Sequence, residues 1–92
     1  MKKNEIIALL DMNKKEIQDR FHVTKIGLFG SYANDMENDG SDIDIIVDGK
    51  KILDEELRIF LESKFHKKVD IVKRETLYHF MKFLIDEEAI YV

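Results

Sequence analysis

Two aspartates one residue apart, Asp42 and Asp44, follow a Gly30-Ser31 pair after ten intervening residues in GSYANDMENDGSDID. Glycine lets backbone N–H groups approach a phosphate with no Cβ in the way, and serine adds a short hydroxyl donor. The segment Ile43 to Val47 is β-prone, and residues at i and i+2 of a strand point to the same face. Asp42 and Asp44 can therefore reach one pair of ions, and hard Mg²⁺ takes such carboxylates together with phosphate oxygens. A strand, a Gly-Ser turn and a second strand opening on paired carboxylates form the anchor of a phosphoryl or nucleotidyl transfer site.

A third acid joins them through the alternation of the strands. Ile43, Ile45 and Val47 share one face, while Asp42, Asp44, Ile46 and Asp48 share the other. In the later run Val69-Asp70-Ile71-Val72, Asp70 stands opposite Val69 and Ile71. If those two cover the same core as Ile43, Ile45 and Val47, Asp70 emerges beside Asp42 and Asp44. Converging carboxylates repel one another, so the arrangement implies a cation.

Each feature has a plainer reading. Alone, Gly30-Ser31 is an ordinary strand-to-helix turn with a serine cap; the acids at this spacing turn it into a phosphate site. Asp48, next to Gly49, reads as a turn residue, and Asp35, Glu37 and Asp39 read as solvated loop acids. Lys64, Lys67, Lys68, Lys73 and Arg74 bracket the third strand, either as solvated surface or as a contact for triphosphate or an acidic partner. Arg74 and His79 match an Arg-x4-His spacing by accident, and His22 and His66 sit at element ends without partner acids.

The elements that must position these residues are short. Asn4 caps a first helix running to about Arg20, and the first strand covers Val23 to Phe29. Ser31 begins a short helix that decays into the loop Asn34 to Ser41. Ile52, Leu53, Leu57, Phe60, Leu61 and Phe65 mark an amphipathic helix, and Leu77 to Ile85 outline the last one. The order α-β-α-β-α-β-α predicts an α/β (α+β) domain spanning 1–92, with a small mixed sheet of about three strands. Helices are expected mainly on one face, leaving the other open for a nucleotide. Apolar residues on more than one side of the last helix point to Tyr78 or Phe83 in a protein interface.

Composition narrows the classes. Ninety-two residues with 45% hydrophobic content allow one small core. The absence of cysteine removes disulfides and thiolate metal sites and suits a reducing cytoplasm, the expected compartment. No apolar run approaches the length of a membrane span. A net charge of −4 argues against nucleic acid as a direct partner.

Gly30-Ser31, Ser41-Asp42-Ile43-Asp44 and Val69-Asp70 together resemble the polymerase-β-type nucleotidyltransferase superfamily. The small size and the ten-residue spacing are similar to its minimal nucleotidyltransferase (MNT) branch, whose members often serve as antitoxins beside HEPN-domain toxins. The resemblance covers nearly the whole chain. It implies a polymerase-β-like fold, with Asp42, Asp44 and Asp70 as catalytic metal ligands for two Mg²⁺ ions and Gly30 and Ser31 as nucleotide-binding residues. It further implies transfer of AMP from ATP to a hydroxyl, that of a tyrosine, on a HEPN-type ribonuclease toxin. Where relatives usually carry Ala-Arg-Gly, this chain has Ala33-Asn34-Asp35, which removes one candidate phosphate or partner contact. Two rival classes stand beside this one. One is an antitoxin that neutralises by binding alone; the other is a nucleotidyltransferase that modifies a small molecule with a separate helical partner.

Overall fold

The computed structural model describes residues 1–92, which run α1 (Lys3–Met12), α2 (Lys14–Phe21), β1 (Lys25–Phe29), α3 (Gly30–Ala33), β2 (Ile43–Asp48), α4 (Asp54–Phe65), β3 (Val69–Lys73), α5 (His79–Glu88) and β4 (Ile90–Tyr91). The sheet order is β3-β2-β1-β4. β1 pairs antiparallel with β2 and with β4, while β2 and β3 run parallel, so the sheet is mixed as expected. No helix is long and apolar enough to cross a membrane.

The apolar alternation decides which face is packed. Ile26 and Leu28 of β1, Ile43, Ile45 and Val47 of β2, and Val69 of β3 are buried against Ile6, Leu10, Ile17, Phe21, Leu57, Leu61 and Phe65 from α1, α2 and α4. Leu57, Leu61 and Phe65 recur every fourth residue, one stripe of a helix, and that stripe fixes how α4 lies on the sheet.

Four features differ from the sequence reading. The expected first helix is two, broken at Asn13. The Asn13 side-chain amide donates to the Leu9 carbonyl at 2.7 Å, alongside its own backbone N–H at 3.1 Å. That local competition for a helix carbonyl is what asparagine offers and most residues do not. The helix also starts before Asn4: Lys2 flanks it, its N–H donating to Glu5 Oε1 at 3.1 Å. β1 begins at Lys25, two residues later than expected, although Val23 is still buried.

The third difference is a fourth strand. β4 has only two residues, too few for a period to register. Gly27 admits it: a Cβ on Gly27 would lie 2.8 Å from Tyr91 Cδ1 and 2.9 Å from the Ile90 carbonyl oxygen. The fourth concerns the face left open. Ile46, on the acid-bearing side, is fully buried, and so is most of Ile85 from α5, yet neither belongs to the main core. α5 therefore packs on that side, covering part of it. A cluster of charged and aromatic groups holds it there. Arg74 donates through Nε and Nη2 to the Asp86 carboxylate at 3.1 and 2.6 Å, and the Tyr91 hydroxyl donates to Asp86 Oδ1 at 2.7 Å. Lys25 Nζ sits 4.1 Å from the Tyr91 ring centre.

Candidate active site

The acids come together through strand register. Asp44 is the direct partner of Phe29 in β1 and of Asp70 in β3. In a parallel pair, partnered residues project to the same face, so Asp44 and Asp70 are neighbours on the side opposite the main core. Asp42 lies two residues before Asp44, one residue ahead of β2, and is exposed like Asp70. Gly30 follows Phe29 directly, which brings the Gly-Ser turn to the same end of the sheet. All five residues singled out from the sequence thus lie in one neighbourhood.

Gly30 is held to its type by geometry. Its φ is +75°, a region costly to a residue with a Cβ, and an added Cβ would stand 2.2 Å from Asp44 Oδ2. The Asp44 carboxylate therefore lies against the Gly30 backbone. Ser31 enters α3, and its carbonyl accepts from the Met36 N–H at 2.9 Å, turning the chain towards the loop that delivers Asp42.

That loop is pinned at several points. Lys3 Nζ meets Asp35 Oδ2 at 3.0 Å, and Lys67 Nζ donates to the Asp39 carbonyl at 3.2 Å. Asn38 and Ser41 close it, with Asn38 N–H donating to Ser41 Oγ and Ser41 N–H to the Asn38 carbonyl, both at 3.0 Å. Glu37 is not the solvated acid expected. Its side chain is 12% exposed, Oε2 lies 3.4 Å from Lys2 Nζ, and buried Oε1 has no hydrogen-bond partner.

Electrostatics mark Asp44 out. Burial raises its carboxyl pKa above the usual value, and the nearby charges of Asp70, Asp42 and Glu88 raise it further. Uncompensated negative charge of this kind is what a cation relieves. The donor set is all carboxylate oxygen, which fits Mg²⁺. No three acids or histidines are yet drawn close enough to form a finished cage. Asp42 and Asp70 are both exposed.

Four of the five basic residues, all but Lys68, have partners within the chain. Arg74 is committed to Asp86, with Asp48 Oδ2 3.7 Å from its Nη1, and Lys73 lies 3.9 Å from Asp54. Lys64 lies over the Phe60 ring. His22 and His66 are exposed residues with positive φ that end α2 and α4. The largest surface cleft, lined in part by His22, Thr24, Asp48 and Glu75, opens at the opposite end of the sheet from the acids. Tyr78, just before α5, and Phe80 and Phe83 on it are well exposed.

One residue at the site escaped the sequence reading. Glu88, the last residue of α5, accepts from the Gly30 N–H at 3.1 Å and from Asn34 Nδ2 at 3.3 Å. Nothing in its sequence neighbourhood, Asp86-Glu87-Glu88, sets it apart from a solvated helix end; only the departure at Asn34 had drawn notice to that corner.

Known proteins resemble this chain in sequence and in fold. A nucleotidyltransferase domain family matches residues 10–92. The protein adenylyltransferase MntA of Thermococcus cleftensis is 36% identical, over 96% of this chain and 93% of the relative. A structure solved as that of a proposed minimal nucleotidyltransferase superposes with a TM-score of 0.72 at 26% identity, covering 98% of this chain and 95% of that one. A toxin–antitoxin crystal structure with AMP-PNP gives a TM-score of 0.68 at 27% identity, covering 99% of this chain and 72% of that chain. With its strand register and its Gly-Ser turn in place, the chain belongs to the minimal nucleotidyltransferase family.

Proposed function

We propose that this nucleotidyltransferase moves AMP from ATP to a hydroxyl of a protein toxin and thereby acts as its antitoxin in the cytoplasm. The toxin is of the HEPN ribonuclease type, and the acceptor is a tyrosine. The observation that carries the reading is the Asp44–Asp70 register with Asp42 and Gly30 at the same end of the sheet. Support comes from a relative named as a protein adenylyltransferase and from a similar fold in a toxin–antitoxin structure with an ATP analogue.

The roles follow from position. Asp42, Asp44 and Asp70 would hold two Mg²⁺ ions, which supply neutralisation of the triphosphate charge and a lowered pKa for the acceptor hydroxyl. Gly30 and Ser31 bind the outer phosphates and aim pyrophosphate away from the acceptor. The acceptor oxygen forms a bond to the α-phosphorus as the bond to the bridging oxygen breaks and pyrophosphate leaves. Asp70, on the exposed outer strand, takes the hydroxyl proton. Catalysis of this sort is mainly positioning and charge neutralisation.

The surface supports a protein partner. Exposed Phe80 and Phe83, on the helix that packs beside the acids, and Tyr78 just before it offer an apolar landing area for a protein that brings its own hydroxyl. Co-expression with a toxin of the HEPN ribonuclease type, followed by intact mass spectrometry of that toxin, tests the reading. Added AMP units are expected with the wild type and none with Asp42→Asn/Asp44→Asn. An unmodified partner with the active chain would refute it.

A further inference from the structure

The Gly30 backbone N–H already has a ligand, and it is an anion. Glu88 Oε1 accepts from it at 3.1 Å, while Oε2 accepts from Asn34 Nδ2 at 3.3 Å. The same Asn34 nitrogen donates to the Gly30 carbonyl at 3.0 Å, so one amide group steadies both the turn and the carboxylate. A carboxylate spanning two N–H donors presents them with the same charge and the same pair of oxygens as a phosphate.

Two further observations bear on how firmly it sits. Glu88 is exposed, so its side chain can swing into water without unfolding anything. Its backbone is not free to leave, because Asp86, two residues earlier, is tied to Arg74 and to the Tyr91 hydroxyl. Glu88 also adds a fourth negative charge beside Asp44, Asp42 and Asp70, and it contributes to the raised pKa of Asp44. A triphosphate arriving at Gly30 therefore meets both an occupied donor and an adjacent like charge.

We propose that Glu88 is a built-in competitor of the nucleotide: its carboxylate holds the Gly30 N–H that a phosphate of ATP takes, and ATP binds only as Glu88 is displaced. The inference rests on the reading of Gly30 as a phosphate ligand given above. Asn34 belongs to the device, since it supplies the second donor. Asn34 would thus hold an internal anion in place.

Two measurements on the full chain test this. In the amide NMR spectrum without nucleotide, Glu88→Ala should move the Gly30 resonance and speed its hydrogen exchange, and an unchanged Gly30 signal would overturn the latch whatever the protein binds. In calorimetry with ATP and excess Mg²⁺, Glu88→Ala should bind roughly three- to tenfold more tightly than wild type, the size of one hydrogen bond weakened by solvent. Glu88→Gln, which keeps an accepting oxygen and loses the charge, should fall between them. Equal affinity overturns the proposal, and weaker affinity makes Glu88 a cation ligand instead. No ATP binding by wild type or variant removes the nucleotide reading of the site along with it. Melting curves should show all variants folded.

Discussion

Asp44 and Asp70 are register partners across the parallel β2–β3 pair, side by side on the face turned away from the main core. Burial first, and the like charges of Asp70, Asp42 and Glu88 after it, raise the Asp44 pKa, which means its ionised form is disfavoured in the folded chain. That cost is present above the raised pKa and disappears as pH falls through it. Asp44→Asn should therefore be neutral or slightly stabilising near pH 7 without metal. Ile45→Ala, one residue along and on the opposite, buried face, should cost ~2–4 kcal/mol through a core cavity. Thermal melts that rank the two variants the other way would contradict the assignment of faces.

At Gly30 a side chain meets two obstacles, a positive φ and the Asp44 carboxylate. Gly30→Ala should cost ~1–2 kcal/mol from backbone conformation alone, and it should displace Asp44. Loss of calorimetric ATP binding beyond what the loss of stability explains is the expected result. A variant that binds as wild type does would show that the turn tolerates the methyl and that Asp44 is not needed where it stands.

The attachment of α5 depends on pH through Asp86. Arg74 first, and the Tyr91 hydroxyl second, hold the Asp86 carboxyl down at about 2, against about 3.9 in an unfolded chain. A depressed carboxyl pKa stabilises the fold above the unfolded value, and the contribution is lost as pH falls from about 4 towards 2. Denaturation of wild type and Asp86→Asn should differ near pH 6 and converge near pH 2. Tyr91→Phe should cost about 1 kcal/mol or less, since the lost hydrogen bond is partly solvated.

How far the chain could be read before the structure depends on the length of each signal. Ile43, Ile45 and Val47 alternate with Asp42, Asp44 and Ile46 over six residues, enough to give both the packed face and the acid face. Val69 and Ile71 extend the pattern, so parity puts Asp70 on the acid face once β3 shares the core, while its pairing with Asp44 is set by the strand register. Asn13 could not be foreseen as a break, because its effect is one side-chain hydrogen bond to Leu9 within a run that is otherwise helical. Ile90 and Tyr91 form too short a strand to show alternation, and their place beside β1 depends on the space at Gly27. Ile46 was the clue left unused: an isoleucine among three aspartates on one face needs a cover, and α5 is that cover. Once α5 lies there, Glu88 reaches Gly30, a contact between residues 58 positions apart that no local pattern encodes.

The shared roles of the acids make a binding prediction as well. Mg²⁺ and ATP should bind together, with heat that is largely lost in Asp42→Asn/Asp44→Asn. Asp48→Asn, at the far end of β2 from Gly30, should leave that binding unchanged. Equal heats for wild type and the double variant would remove Asp42 and Asp44 from the site.

Transfer from ATP labelled at either end tests the central claim most directly. The purified chain is mixed with the proposed toxin partner, Mg²⁺ and ATP carrying label on the α- or the γ-phosphate. Label from the α-phosphate should appear on the partner, label from the γ-phosphate should not, and Asp42→Asn/Asp44→Asn should transfer neither. A partner that is neutralised equally by wild type and double variant, with no label from either position, would mean that binding alone silences it and that no AMP is moved.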